Sequence, residues 1–231
     1  MGCWSRKALE ALAGRVLPRY FALPGAAGDR VDPWRLGREL LGLRVEYRRL
    51  SGDGALLGLT SAGPLWVPVQ DRPGAWERLD GRTVLLDASL APPWGAEGRR
   101  NFTLAHEIAH QLLNPSAPPE AAAPLCCRRE IGSWEEWRAD ALAAALLMPE
   151  ELLRRGMREH GLTGPLRVIH PRLDPETWRR ASALAESLGV SRQALALRLR
   201  RLGLLRRDYP ADPWAVLDIT MEEEEECRES M

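Results

Sequence analysis

Residues 102–114 read Phe-Thr-Leu-Ala-His-Glu-Ile-Ala-His-Gln-Leu-Leu-Asn. Apolar residues recur at helical spacing and Pro115 forbids continuation, so the stretch predicts an amphipathic helix from about Phe102 to Asn114 with Asn101 as its cap. His106 and His110 stand four apart, which places both imidazoles on one face, one turn apart, where they can converge on a single cation. Glu107 lies about 100° around the helix from His106. From there it can reach a water polarised by the metal without ligating the metal itself, which is the position of a general base. The donor set suits Zn²⁺, with Mn²⁺ as the alternative. The chain has only 4 histidines in 231 residues, so two falling by chance at this spacing on such a helix is a poor explanation.

A catalytic zinc needs a third protein ligand and one open position. Glu136-Trp137-Arg138-Ala139-Asp140 puts two carboxylates on one face of a second predicted helix, Trp134 to Met148. Glu136 is the candidate ligand, Glu135 is the fallback, and His160 and His170 are weaker. Ser133-x-x-Glu136 also reads as a capping box, which would use this glutamate on the backbone instead. The cap would leave Asp140 without a role. Asp140 sits in an otherwise apolar helix, where a carboxylate is costly unless paired. A hydrogen bond to a ligand histidine, His106, supplies that pairing and fixes the ring tautomer.

Working outward, the upstream chain supplies strands. A short apolar helix, Ala8 to Leu17, is expected to break at Pro18, and Asp32-Pro33 starts another helix that Gly42 stops. Leu43, Val45 and Tyr47 alternate with charged residues as in a half-buried strand, and further strands are expected at Ala55–Thr60, Leu65–Val69 and Thr83–Asp87. Strands first and helices afterwards predict an α+β fold with a small β-sheet packed on zincin-type helices. Trp94, Trp134 and Trp137 read as core packing, and nothing among Tyr20, Tyr47 and Tyr209 stands out as an oxyanion donor.

Downstream, Pro149 opens a short helix and Asp174-Pro175 caps another. Residues 176–207 then read as two helices around Gly189, with Ser191 capping the second, in a helix-turn-helix-like subdomain. This segment carries +6, and Arg192, Arg198, Arg200 and Arg201 form a candidate docking surface, for a protein in preference to DNA. Residues 208–231 carry −8 and read as a solvated, disordered tail. The two segments help bring the whole chain to a net charge of +0, which argues against a protein that coats nucleic acid. The expected organisation is an N-terminal segment (1–30), a metal-binding domain (31–160), the helical subdomain (161–207) and the tail (208–231). The longest apolar stretch, Ala139–Met148, is too short to span a membrane, and no apolar leader is visible, so a cytoplasmic protein with no membrane partner is expected. The 4 cysteines then read as reduced thiols, Cys126 and Cys127 among them as inert residues of the insertion between the metal-bearing helices.

Arg100 to His110, Glu136-x-x-Ala139-Asp140 and Ala143 to Pro149 together resemble the ImmA/IrrE family of metallo-endopeptidases. Gly58-Leu59-Thr60 and Val84 to Asp87 upstream, and Leu184-Ala185 with Val190 to Leu204 downstream, extend the resemblance over about Val31 to Leu205. It implies a gluzincin-like site with His106, His110 and Glu136 as zinc ligands, Glu107 as base and Asp140 behind a ligand. It further implies a helix-turn-helix repressor as substrate, whose cleavage derepresses stress-response or mobile-element genes. Members that sense radiation damage carry a further sensor-like domain after the helical part, for which this chain ends too early. The reading from another class is a DNA- or protein-binding regulator with a structural metal site. Such a site is normally closed by four protein ligands, whereas three good ones and a well-placed base are on offer here.

Overall fold

The computed structural model describes residues 5–26, 28–114, 134–167 and 169–206. Helix α1 spans Arg6–Phe21 and is capped by Ser5, whose side chain accepts from the Ala8 N–H. It does not break at Pro18. The proline lies in the last turn, where it removes a single helical hydrogen bond, and buried Leu17 and Tyr20 hold that turn against the core. The Tyr20 hydroxyl then accepts from the Asp32 N–H, and Asp32 caps the short helix α2, Pro33–Arg35, which runs on into a π-helical turn at Leu36–Leu40.

Three strands form the main sheet: β1 (Arg44–Arg48), β2 (Gly58–Thr60) and β5 (Thr83–Asp87), in the order β1-β5-β2. β1 runs parallel to β5 and β2 antiparallel. β3 (Pro64–Pro68) and β4 (Trp76–Asp80) form a separate antiparallel hairpin. β5 is buried at every position because neighbours and layers surround it: Val84 and Leu86 face the helical core, and Leu85 joins Leu59, Val67 and Leu79 under the hairpin. The layers are therefore hairpin, sheet and helices, with β2 at one edge of the sheet. β4 escapes a periodicity reading because only Leu79 of Trp-Glu-Arg-Leu-Asp is buried. β2 is likewise shorter than the expected Ala55–Thr60 strand.

Helix α3 spans Glu97–Leu113, α4 Trp134–Leu147, α5 Glu150–Glu159, α6 Pro175–Ser187 and α7 Arg192–Arg201. α4 is buried at Ala139 and from Ala141 onward, as a helix apolar on all sides must be. One hydrophobic cluster runs from Leu9 in α1 through α3 and α4 to Leu199 in α7, so the last two helices share the core of the metal-bearing ones. Asp174 caps α6 and Ser191 caps α7, with Gly189 at φ 65° between them, as expected. The fold is α+β. The Ser133 cap, Cys126, Cys127, Tyr209 and the acidic tail lie outside the described residues.

Candidate metal centre

α3 begins five residues earlier than expected, and Asn101 does not cap it. Its first turn is pressed against the α6–α7 turn: a Cβ on Gly98 would stand 2.4 Å from the Ser191 nitrogen, so only glycine permits this approach. Buried Asn101 lies inside the helix and donates from Nδ2 to the Gly189 carbonyl at 2.9 Å. The helix that presents His106, Glu107 and His110 is thus anchored at its start by the turn between α6 and α7.

His106, Glu107 and His110 are all buried. Glu136 of α4 faces both rings, with Oε2 3.1 Å from His106 Nε2 and Oε1 3.3 Å from His110 Nε2. The two Nε2 atoms are 3.1 Å apart. A cation about 2.0–2.1 Å from each of two tetrahedral donors holds them about 3.3–3.4 Å apart, so the three separations fit one shared metal ion. His106 pairs with both Glu136 and Asp140, and His110 with Glu136, so α3 and α4 cross antiparallel at this point.

The hydrogen-bonding chemistry agrees with the spacing. Asp140 Oδ1 lies 2.7 Å from His106 Nδ1, and a proton on that nitrogen leaves the Nε2 lone pair free to ligate. Burial alone would raise the Glu136 pKa, but the adjoining His106 and His110 rings outweigh it and hold the carboxyl well below the usual carboxylate range. That favours the ionised carboxylate, which is the form that ligates a metal. Asp140 is not the buried carboxylate that its apolar surroundings in sequence suggest, since its side chain is 45% exposed. That exposure weakens the bond through competition with water. Asp140→Ala is expected to lower metal affinity by about tenfold, the lower end of the usual range for such partners, in a chelator competition; unchanged affinity would remove its role.

Glu107 points at the edge strand. A Cβ built on Gly58 would lie 2.4 Å from Glu107 Oε1 and 2.8 Å from its Cγ, so the carboxylate rests on the β2 backbone. Other candidates fall elsewhere. Glu135 is exposed and pairs with Arg138, His160 Nδ1 bonds the Gly156 carbonyl, and the His170 ring accepts from the N–H groups of Arg172 and Leu173. Trp94 and Trp134 are exposed, contrary to the core-packing expectation, with Trp134 stacked on the half-buried Trp137 at 4.6 Å. Of the candidate docking arginines, Arg192 is exposed and lies over the Trp178 ring, and Arg200 and Arg201 are half-buried. Arg198 is 2% exposed and cannot dock anything: it binds the Glu10 carboxylate and donates to the Met148 carbonyl. Ala194, Leu195, Ala196 and Leu199 are also buried, so α7 packs one face on the core and leaves Arg192 and Gln193 exposed.

The sequence of residues 71–200, more than half of the chain, matches the family Peptidase_M78, described as the IrrE N-terminal-like domain. The chain belongs to this family. It is accordingly a metallopeptidase, and the matched stretch contains the whole His106, His110 and Glu136 group together with Glu107 and Asp140. No curated protein matches the chain. Among the described residues of this family member, no helix is long and apolar enough to cross a membrane.

Proposed function

We propose that this metallopeptidase is a zinc-dependent endopeptidase that cuts a helix-turn-helix transcriptional repressor in the cytoplasm and so derepresses stress-response or mobile-element genes. The convergence of His106, His110 and Glu136, with Asp140 behind His106, carries the metal assignment. When bound there, zinc supplies Lewis-acid polarisation of the scissile carbonyl and of a water molecule.

The remaining work falls to the chain's own groups. The Asp87 N–H bonds the Leu57 carbonyl, and in an antiparallel ladder the outward-facing positions alternate, so the N–H and C=O groups of Gly58 and Thr60 point away from β5. They form a short pairing edge on which an extended substrate segment can add as a further strand. Glu107, which lies against Gly58 and directly follows a ligand histidine, would accept the proton of the attacking water as its oxygen bonds to the carbonyl carbon. It can return that proton to the leaving nitrogen as the C–N bond breaks. The regulator reading finds less support, because the metal group offers three ligand residues and not the four that close a structural zinc site.

The test is the zinc-loaded protein mixed with the helix-turn-helix repressor encoded nearest its gene. Cleavage at one bond, abolished by a chelator and restored by Zn²⁺, is the expected result. An intact repressor at full metal loading would count against the assigned substrate.

A further inference from the structure

We propose that Gln111 is a positioning residue that fixes the register between the metal ligands and the pairing edge of β2; the functional meaning of this register rests on the peptidase reading above. Gln111 directly follows His110 in α3. Its amide donates to Thr60 Oγ1 at 2.6 Å and to the Ser61 carbonyl at 2.9 Å. The Thr60 hydroxyl in turn donates to the Thr83 carbonyl at 2.9 Å. Both amide protons are used, and the hydroxyl accepts one bond and donates one, so a defined chain of hydrogen bonds links α3, β2 and β5. Thr60 and Ser61 are fully buried, which limits competition from water for these bonds although Gln111 itself is half-buried.

The second contact between α3 and β2 is Glu107 on Gly58. Four helical residues advance about 6 Å and two strand residues about 6.7 Å, so Glu107 and Gln111 meet Gly58 and Thr60 in step. Those two strand residues are the ones whose backbone groups face the open edge. The ladder to β5 fixes β2 within its sheet, but the sheet lies on α3 mainly through apolar side chains such as Val84, Leu86 and Ile108. Apolar burial is non-directional and tolerates a slide. The Gln111 bonds are directional and do not. They tie Thr60 to the residue next to a metal ligand, which sets how far along the strand a substrate carbonyl must lie to reach the metal. A misplacement of about 1 Å at such a point is enough to lose most of the rate.

The test uses the full, zinc-loaded chain with Gln111→Met, which keeps length and removes both donors, with Thr60→Val, which keeps shape and removes the hydroxyl, and with the double variant. Hydrogen exchange of residues 56–62 is expected to rise about tenfold in each single variant while residues 104–110 change by less than about twofold. With the repressor as probe, kcat is expected to fall by at least about tenfold and KM to rise less than about threefold, as a substrate that still binds but lies out of register requires. The double variant should be worse than either single one but less than additive, because the singles share the loss of the Gln111–Thr60 bond. Unchanged exchange in both single variants, or fully additive effects, would overturn the assignment whatever the proteolysis shows. Wild-type protein that holds zinc but leaves every tested polypeptide intact would overturn the peptidase reading instead, and the exchange result would still decide whether Gln111 sets the register.

Discussion

Gly58→Ala is expected to lower kcat/KM by at least about 100-fold while metal content and melting temperature stay near those of the wild type. The reason is steric and local. The added methyl would overlap Glu107 at Oε1, Cγ and Cδ, all within 2.9 Å, and this carboxylate is 1% exposed with no solvent into which to swing. Either Glu107 rotates away from the attacking water or β2 moves off α3, so that the proposed base or the pairing edge for the substrate is displaced. Gly58 is not among the glycines held at positive φ, so alanine meets no backbone objection there, and the effect isolates the side-chain clash. Because β2 is a three-residue edge strand, the fold itself can absorb a small displacement. Wild-type turnover by Gly58→Ala would show that Glu107 is not held by the strand as described.

Glu10→Ala is expected to destabilise the fold by about 1–3 kcal/mol, because it leaves the buried Arg198 guanidinium without its counter-ion, a loss that water entering from the 35% exposed Glu10 side offsets in part. The two residues join α1 to α7, and the guanidinium Nε reaches the Met148 carbonyl just past α4 at 2.9 Å, so one side chain ties three helices. Removing the charge and its partner together should hurt far less. Glu10→Leu with Arg198→Met replaces the ion pair by apolar volume, and most of the lost stability should return in urea unfolding. A loss below about 0.5 kcal/mol in Glu10→Ala would mean that water or another group already solvates Arg198.

The site was legible in the sequence to the extent that chemistry constrained spacing. Histidines four apart on a helix and carboxylates four apart on another have few readings, and His106, His110, Glu136 and Asp140 do come together. Gly58 and Gln111 carry no such mark. A glycine that admits a carboxylate and a glutamine that spans two elements are defined by partners distant in sequence, which no local period reveals. Asn101 misled for a related reason: its residue type favours a cap, but a backbone carbonyl 88 positions away, that of Gly189, offers a better use for its amide. Arg198 misled more fully, since a basic helix reads as a docking face until its acidic partner near the other end of the chain is known. In the fold, β4 leaves no periodic mark because its outward positions are polar or exposed, and Pro18 signals a break in α1 that the buried residues around it override.

The proposed mechanism requires His106, His110 and Glu136 to hold a metal and Glu107 to act as the base. The measurement that bears on it most directly is Glu107→Gln compared with wild type, with metal content and repressor cleavage read on the same samples. One equivalent of zinc in both proteins, with cleavage reduced by about 10²–10⁴-fold in the variant, is the predicted result. Equal cleavage by both proteins, or zinc lost from Glu107→Gln but kept by His110→Ala, would contradict it.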